Sequence, residues 1–79
     1  MLNLTLYTRL DCHLCEDMQQ ALMPLQTEYG FSLHIVDIDA DDHLRVLYNE
    51  RIPLLMAGEQ EICSYVLNET MLREFFKQT

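Results

Sequence analysis

Cys12 and Cys15 stand three residues apart, in the run Asp11-Cys12-His13-Leu14-Cys15-Glu16-Asp17. Thiols at this spacing have three chemistries open to them. They can exchange with a disulfide, supply half of a metal site, or lie inert as small buried side chains. On a helix, an i, i+3 spacing puts both sulfurs on one face. It also lets the α-carbons approach the ~5.5 Å of a disulfide with little backbone change. The thiolate is the nucleophile. If a helix begins at the first cysteine, the unsatisfied N–H groups of its first turn and its dipole favour negative charge there. Position therefore assigns attack to Cys12 and resolution of the mixed disulfide to Cys15, one turn deeper. The neighbours pull both ways. Asp11, Glu16 and Asp17 disfavour the thiolate by like charge, while a protonated His13, and Arg9, favour it. A structural zinc usually takes four ligands, and the chain has no second C-x-x-C. No metal site is therefore expected, and metal delivery through the pair plus His13 stands as the last alternative.

The elements that must position this pair can be read from changes in periodicity. Residues 2–8 alternate, with Leu2, Leu4 and Leu6 on one face and Asn3, Thr5 and Tyr7 on the other, which predicts a strand. Leu14, Met18, Leu22, Leu25 and Tyr29 then recur at three and four, which predicts a helix stopped near Gly30. Pro24 falls inside it, so a kink or break is expected near residues 20–24. Residues 31–39 carry Leu33, Ile35, Val36 and Ile38 on both faces and predict a strand covered on both sides. A short helix follows, with Leu44, Leu47 and Tyr48 on one face and Asp39, Asp41 and Asp42 at its N-terminus. Residues 52–58, entered through Pro53, and residues 61–66 predict a hairpin. Asn68 can cap a last helix that turns Met71, Leu72, Phe75 and Phe76 inward. The order is β-α-β-α-β-β-α. The helix between the first two strands makes them parallel, and the hairpin is antiparallel, which gives a four-stranded mixed α/β sheet flanked by helices.

Size and charge narrow the function. With 79 residues the chain reads as one domain, residues 1–79, and its 49% hydrophobic content suits a packed core. No apolar run approaches the ~20 residues of a membrane span, and the start shows no signal-peptide pattern, so a cytoplasmic monomer is expected. Five basic against 13 acidic residues leave a net charge of -8. That disfavours nucleic acid and suits a basic protein partner. Three cysteines are too few, and odd in number, for a disulfide scaffold. Cys63 reads as a small buried side chain, His34 and His43 as surface residues, Tyr7 as a packed strand residue, and Met18, Met23, Met56 and Met71 as core filling.

With these residues in place, the chain resembles a glutaredoxin within the thioredoxin-like fold. The likeness rests on C-H-L-C between the first strand and first helix, on Ile52-Pro53 before the third strand, and on the element order. It is similar in particular to a small glutaredoxin-like group, through Leu6-Tyr7, Arg9, Cys12 to Glu16, Val36 to Asp41, and Tyr48 to Leu55. The resemblance implies a dithiol oxidoreductase acting through Cys12 and Cys15 on protein or mixed disulfides, with no bound cofactor. It also implies a cis Ile52–Pro53 bond facing the pair, leaving the Ile52 backbone to bind an extended substrate. The departures are specific. His13-Leu14 stands where glutaredoxins have Pro-Tyr. The segment Cys63 to Thr70 lacks the Gly-Gly pair that helps bind glutathione, the only glycines being Gly30 and Gly58. Glutathione as a co-substrate is thus implied by the family and poorly matched by these residues. The alternative of a different class is a non-catalytic redox-sensing or protein-interaction module on the same fold.

Overall fold

The computed structural model describes residues 2–78. Strand β1 (Asn3–Thr8) leads into helix α1 (His13–Tyr29), which returns through β2 (Ser32–Asp37) and a 3-10 turn (Ile38–Ala40) to helix α2 (Asp42–Tyr48). Strands β3 (Leu54–Ala57) and β4 (Gln60–Ser64) precede helix α3 (Glu69–Lys77). The sheet order is β2-β1-β3-β4, with β1 parallel to β2 and the other pairings antiparallel. This is the expected β-α-β-α-β-β-α arrangement.

Alternation in β1 decides the layers. Leu4, Leu6 and Thr8 face one side and are buried. Leu6 is in register with Leu55, and both pack with Met18, Leu22 and Leu25 of α1, Ile62 and Cys63 of β4, and Leu72 of α3. Tyr7 points to the other side, where its ring meets Tyr48 of α2 at 4.6 Å between centroids. Helices α1 and α3 therefore cover one face, and α2 lies on the other. The far ends of α1 and α3 are clamped together. Arg73 bonds Glu28, Tyr29 and Glu69, and the rings of Tyr29 and Phe76 stack at 4.4 Å. The hydrogen bond from Arg73 holds the Glu28 carboxyl below the usual carboxylate range, more than offsetting its slight desolvation.

The local signals act as the residue types require. Gly30 ends α1 with φ 72°, a left-handed conformation that glycine adopts without Cβ strain, and its N–H bonds the Gln26 carbonyl. Asp41 caps α2 through the His43 N–H at 2.8 Å, and Asn68 caps α3 through the Met71 N–H at 3.1 Å.

Several expectations need correction. Helix α1 runs unbroken through Pro24. That ring is on the exposed side, and the carbonyl it leaves unpaired belongs to Gln20, which also faces water, while Leu22 and Leu25 hold the helix to the core. Strand β2 is not covered on both faces. It is an edge strand, only Leu33 reaches the α1-side cluster, and Ile35 is 48% exposed. Ile38 leaves the strand for the 3-10 turn and is buried there. Met18 and Met56 are buried as core filling, but Met23 and Met71 are 61% and 49% exposed, because they fall on the outer faces of their helices. Leu47 is likewise half exposed on α2, a helix with no fully buried residue.

Candidate redox-active site

Strand β1 ends at Thr8, and a loop of residues 9–12 carries the chain into α1. Asp11 turns the corner in the left-handed region, φ 58°, which aspartate tolerates better than most residues. Cys12 then sits extended at φ -101°, ψ 106° as the N-cap of α1. Its Sγ accepts the Cys15 N–H at 3.2 Å, and its carbonyl accepts the Glu16 N–H at 3.1 Å. Sulfur thus occupies the place where a serine or aspartate oxygen usually satisfies the first helical turn. The Cys12 and Cys15 α-carbons are 5.2 Å apart, and the two sulfurs are close enough for a disulfide. Cys12 is half-buried and Cys15 is 3% exposed, so one sulfur faces outward and the other stands behind it.

The residues expected around the pair divide into two sets. Leu14 and Asp11 are exposed beside it, and His13 points into solvent with Nε2 3.7 Å from the Asp17 carboxylate. Arg9 has a task of its own. Its guanidinium bonds both Asp39 oxygens, at 2.9 and 3.0 Å, and the Asn49 side chain. This bidentate fork ties the motif loop to the 3-10 turn and to the end of α2, so Arg9 positions the loop. Pro53 lies at the same end of the sheet as the loop, because Leu54 is in register with Tyr7. The Ile52–Pro53 bond is cis. Pro53 is buried and its carbonyl accepts the Tyr65 N–H at 2.8 Å. Ile52 is half-buried, and no backbone hydrogen bond among the described residues engages it.

Sequence reasoning missed Tyr65. Its backbone is left-handed at φ 69°, and its phenol donates to the Glu50 carbonyl. With the bond to Pro53, Tyr65 straps the segment before α3 onto residues 50–53. No spacing rule marks such a residue; the one signal is an aromatic where the segment has no glycine. Nothing in the sequence marks Asp39, read there as part of the α2 cap, or Asn49 as the partners of Arg9.

Cys63 is buried, free and separate from the pair. Burial pushes its thiol up from the ordinary value, against a smaller lowering by the Asn68 backbone. The charged form is thus disfavoured in the folded protein. With the folded pKa raised, the contribution to stability is full below the unfolded value and is lost as pH rises from there through the folded one. With Cys12 and Cys15 reduced, iodoacetamide at pH 8 is expected to label Cys12 first and to leave Cys63, like the buried Cys15, largely unlabelled until denaturant is added, read by intact mass. Equal labelling of all three in the native protein would contradict the burial. Among the described residues, no group of three or more His, Cys, Asp and Glu side chains is placed to hold a metal ion.

Residues 3–77 match the family described as Glutaredoxin-like domain (DUF836). The chain belongs to this glutaredoxin-like family. No curated protein matches it. Solved structures of high similarity include the protein Ne2328 of Nitrosomonas europaea, with 38% identity over 94% of this chain and 89% of that one, at a TM-score of 0.85. The X. campestris protein XcR50 is 34% identical over 96% and 97% of the two chains, at a TM-score of 0.74. The glutaredoxin-like protein NrdH-redoxin of Escherichia coli, 24% identical over 91% and 93%, shares the fold at a TM-score of 0.60. A Fasciola hepatica thioredoxin, 20% identical over 98% and 79%, does so at 0.64. The glutaredoxin-like protein therefore has a thioredoxin-like fold, and its cysteine pair, at disulfide distance, supports a redox role. No helix among its described residues is long and apolar enough to cross a membrane.

Proposed function

We propose that this glutaredoxin-like protein is a dithiol oxidoreductase that reduces protein disulfides, or mixed disulfides, in the cytoplasm. The observation that carries the reading is the N-cap position of Cys12, its Sγ taking the Cys15 N–H while Cys15 lies buried behind it. A thiolate at Cys12 is favoured by that N–H and by the helix end. It attacks one sulfur of the substrate disulfide and forms a mixed disulfide, and the other substrate sulfur leaves as a thiolate and takes up a proton. Cys15, deprotonated, attacks the Cys12 sulfur, and the second substrate thiol departs. Two electrons and two protons pass to the substrate, and the protein is left with the Cys12–Cys15 disulfide. The unengaged backbone of Ile52, beside the buried Pro53, supports pairing with an extended substrate chain. A protein substrate fits better than glutathione as partner. Tyr65 fills the segment before α3, and the nearby Asp17 and Glu69 are poor company for a peptide with two carboxylates.

The test is a redox titration. The protein is equilibrated in dithiol–disulfide buffers, quenched by alkylation under denaturing conditions, and its modified cysteines are counted by mass. Cys12 and Cys15 are expected to lose their label together, at a potential between about −180 and −270 mV, the span of disulfide isomerase to thioredoxin. Catalytic amounts should also accelerate reduction of a disulfide-bonded protein by dithiothreitol. A pair that forms its disulfide without accelerating that reduction would instead indicate the sensing or interaction module.

A further inference from the structure

An open groove of about 320 Å³ lies between α1 and the segment leading into α3. Leu14 and Met18 form one wall and Tyr65 and Val66 the other, with Asp17 and Glu69 along it. Its size is at the small end of ligand clefts, about 300–1,000 Å³. Three features give it direction. Leu14 lies between the two cysteines in the chain, so the groove adjoins the helical turn that carries the dithiol. Leu14, Tyr65 and Val66 there face water, Val66 at 68% exposure, which is the mark of a surface awaiting contact, while Met18 is buried. The Tyr65 wall is fixed in advance. Its left-handed backbone is strained for a residue with a Cβ, and bonds to Pro53 and Glu50 hold it there.

Charge then selects the occupant. Among the described residues Asp17 pairs with His13 alone, and that pairing needs a protonated imidazole. Glu69 shares the single guanidinium of Arg73 with Glu28, so this cluster keeps a surplus negative charge. We propose that the groove binds a polypeptide substrate that carries a large apolar side chain next to its disulfide cysteine and a lysine or arginine beside that residue. The apolar side chain seats between Leu14, Met18, Tyr65 and Val66, and the cation meets Asp17 and Glu69. This rests on the dithiol reading and names the substrate that the dithiol selects.

Four synthetic peptide disulfides test it, crossing Leu or Ser beside the cysteine with Lys or Glu at the next position. Oxidation of the reduced protein by each is followed by rapid quench and mass. Leu is expected to outpace Ser about tenfold, the scale of a modest apolar pocket contact. Lys should outpace Glu about threefold at low salt, as for an exposed ion pair, and the advantage should vanish near 1 M salt. Val66→Ser should collapse the Leu preference and keep the Lys preference, and Asp17→Asn should do the reverse. Ratios between peptides on one variant cancel any change in thiol reactivity or folded fraction. Equal rates for all four peptides on the wild type would overturn the groove and leave the dithiol chemistry standing. Preferences that survive both substitutions would place the peptide elsewhere and also overturn it. Reduction of none of the four would defeat the dithiol reading together with the groove.

Discussion

Replacing Cys15 with serine should convert the protein from a turnover catalyst into a trap. Cys12 is the half-buried N-cap and Cys15 the buried sulfur one turn behind it. A substrate disulfide therefore reaches Cys12 first, and the mixed disulfide formed there has Cys15 as its nearest escape. Without that thiol, the adduct is expected to persist and to appear on non-reducing gels and in intact mass as protein plus substrate. Cys12→Ser should show no adduct, and its reduction rate should fall to that of the free reductant, because a serine hydroxyl is a far poorer nucleophile than a thiolate. The asymmetry is the diagnostic part. Adducts of equal stability on both variants would remove the assignment of attacking and resolving sulfurs. Adducts on Cys12→Ser alone would reverse it. Cys12→Ser is expected to fold as the reduced wild type does, since serine at an N-cap satisfies the same N–H; Cys15→Ser puts a hydroxyl at a buried position, so thermal melts of both reduced variants accompany the adduct assay.

What the sequence shows of this site follows from how local each cause is. A helix start at Cys12 is legible because period-2 alternation stops at Thr8 and a three-and-four pattern begins at Leu14. Those two facts alone put one thiol at the helix end and the other one turn inside. The caps by Asp41 and Asn68 and the stop at Gly30 are legible for the same reason, since a side chain and its partner lie within a few residues. Sheet order is not local. The apolar run of β2 looks like a strand covered twice, yet its place at the edge depends on where β3 inserts, and no window of residues 31–39 carries that. Arg9 is the same lesson at the site. Its charge suggests a role in tuning Cys12, but Asp39 and Asn49 claim the guanidinium from 30 and 40 positions away. Tyr65 is invisible because a left-handed tyrosine breaks the local rule and is held by bonds to the distant Glu50 and Pro53. Met23 and Met71 show the opposite failing: apolar type suggests burial, whereas helix phase decides it.

The largest stability effect should come from Leu55→Ala. This side chain is fully buried, stands in register with Leu6 and Cys63, and belongs to the cluster shared by α1, α3 and the central strands. Truncating a buried leucine costs about 2–5 kcal/mol, the spread reflecting how far the site can collapse. Here collapse is restricted, because strands pair on both sides of β3 and hold its backbone. At about 0.05–0.15 kcal/mol per residue, a chain of this size has only about 4–12 kcal/mol in total. A loss near 3 kcal/mol would lower the melting temperature by about 12–24 °C, taking about 4–8 °C per kcal/mol for a domain this small. Val46→Ala, on the exposed face of α2, should stay within about 0.5 kcal/mol of wild type. Both are read by thermal unfolding of the reduced proteins, so that the disulfide does not mask the difference. Leu55 also adjoins Leu54 and Pro53, so its loss bears on the site as well as on the fold. The redox potential of the pair should move little while the protein is folded, because Cys12 is set by α1 and the 9–12 loop. Peptide reduction should weaken with the loosened Ile52–Pro53 segment. If Leu55→Ala melted within a degree or two of Val46→Ala, the single shared core that fixes both sides of the site would be the wrong account of this fold.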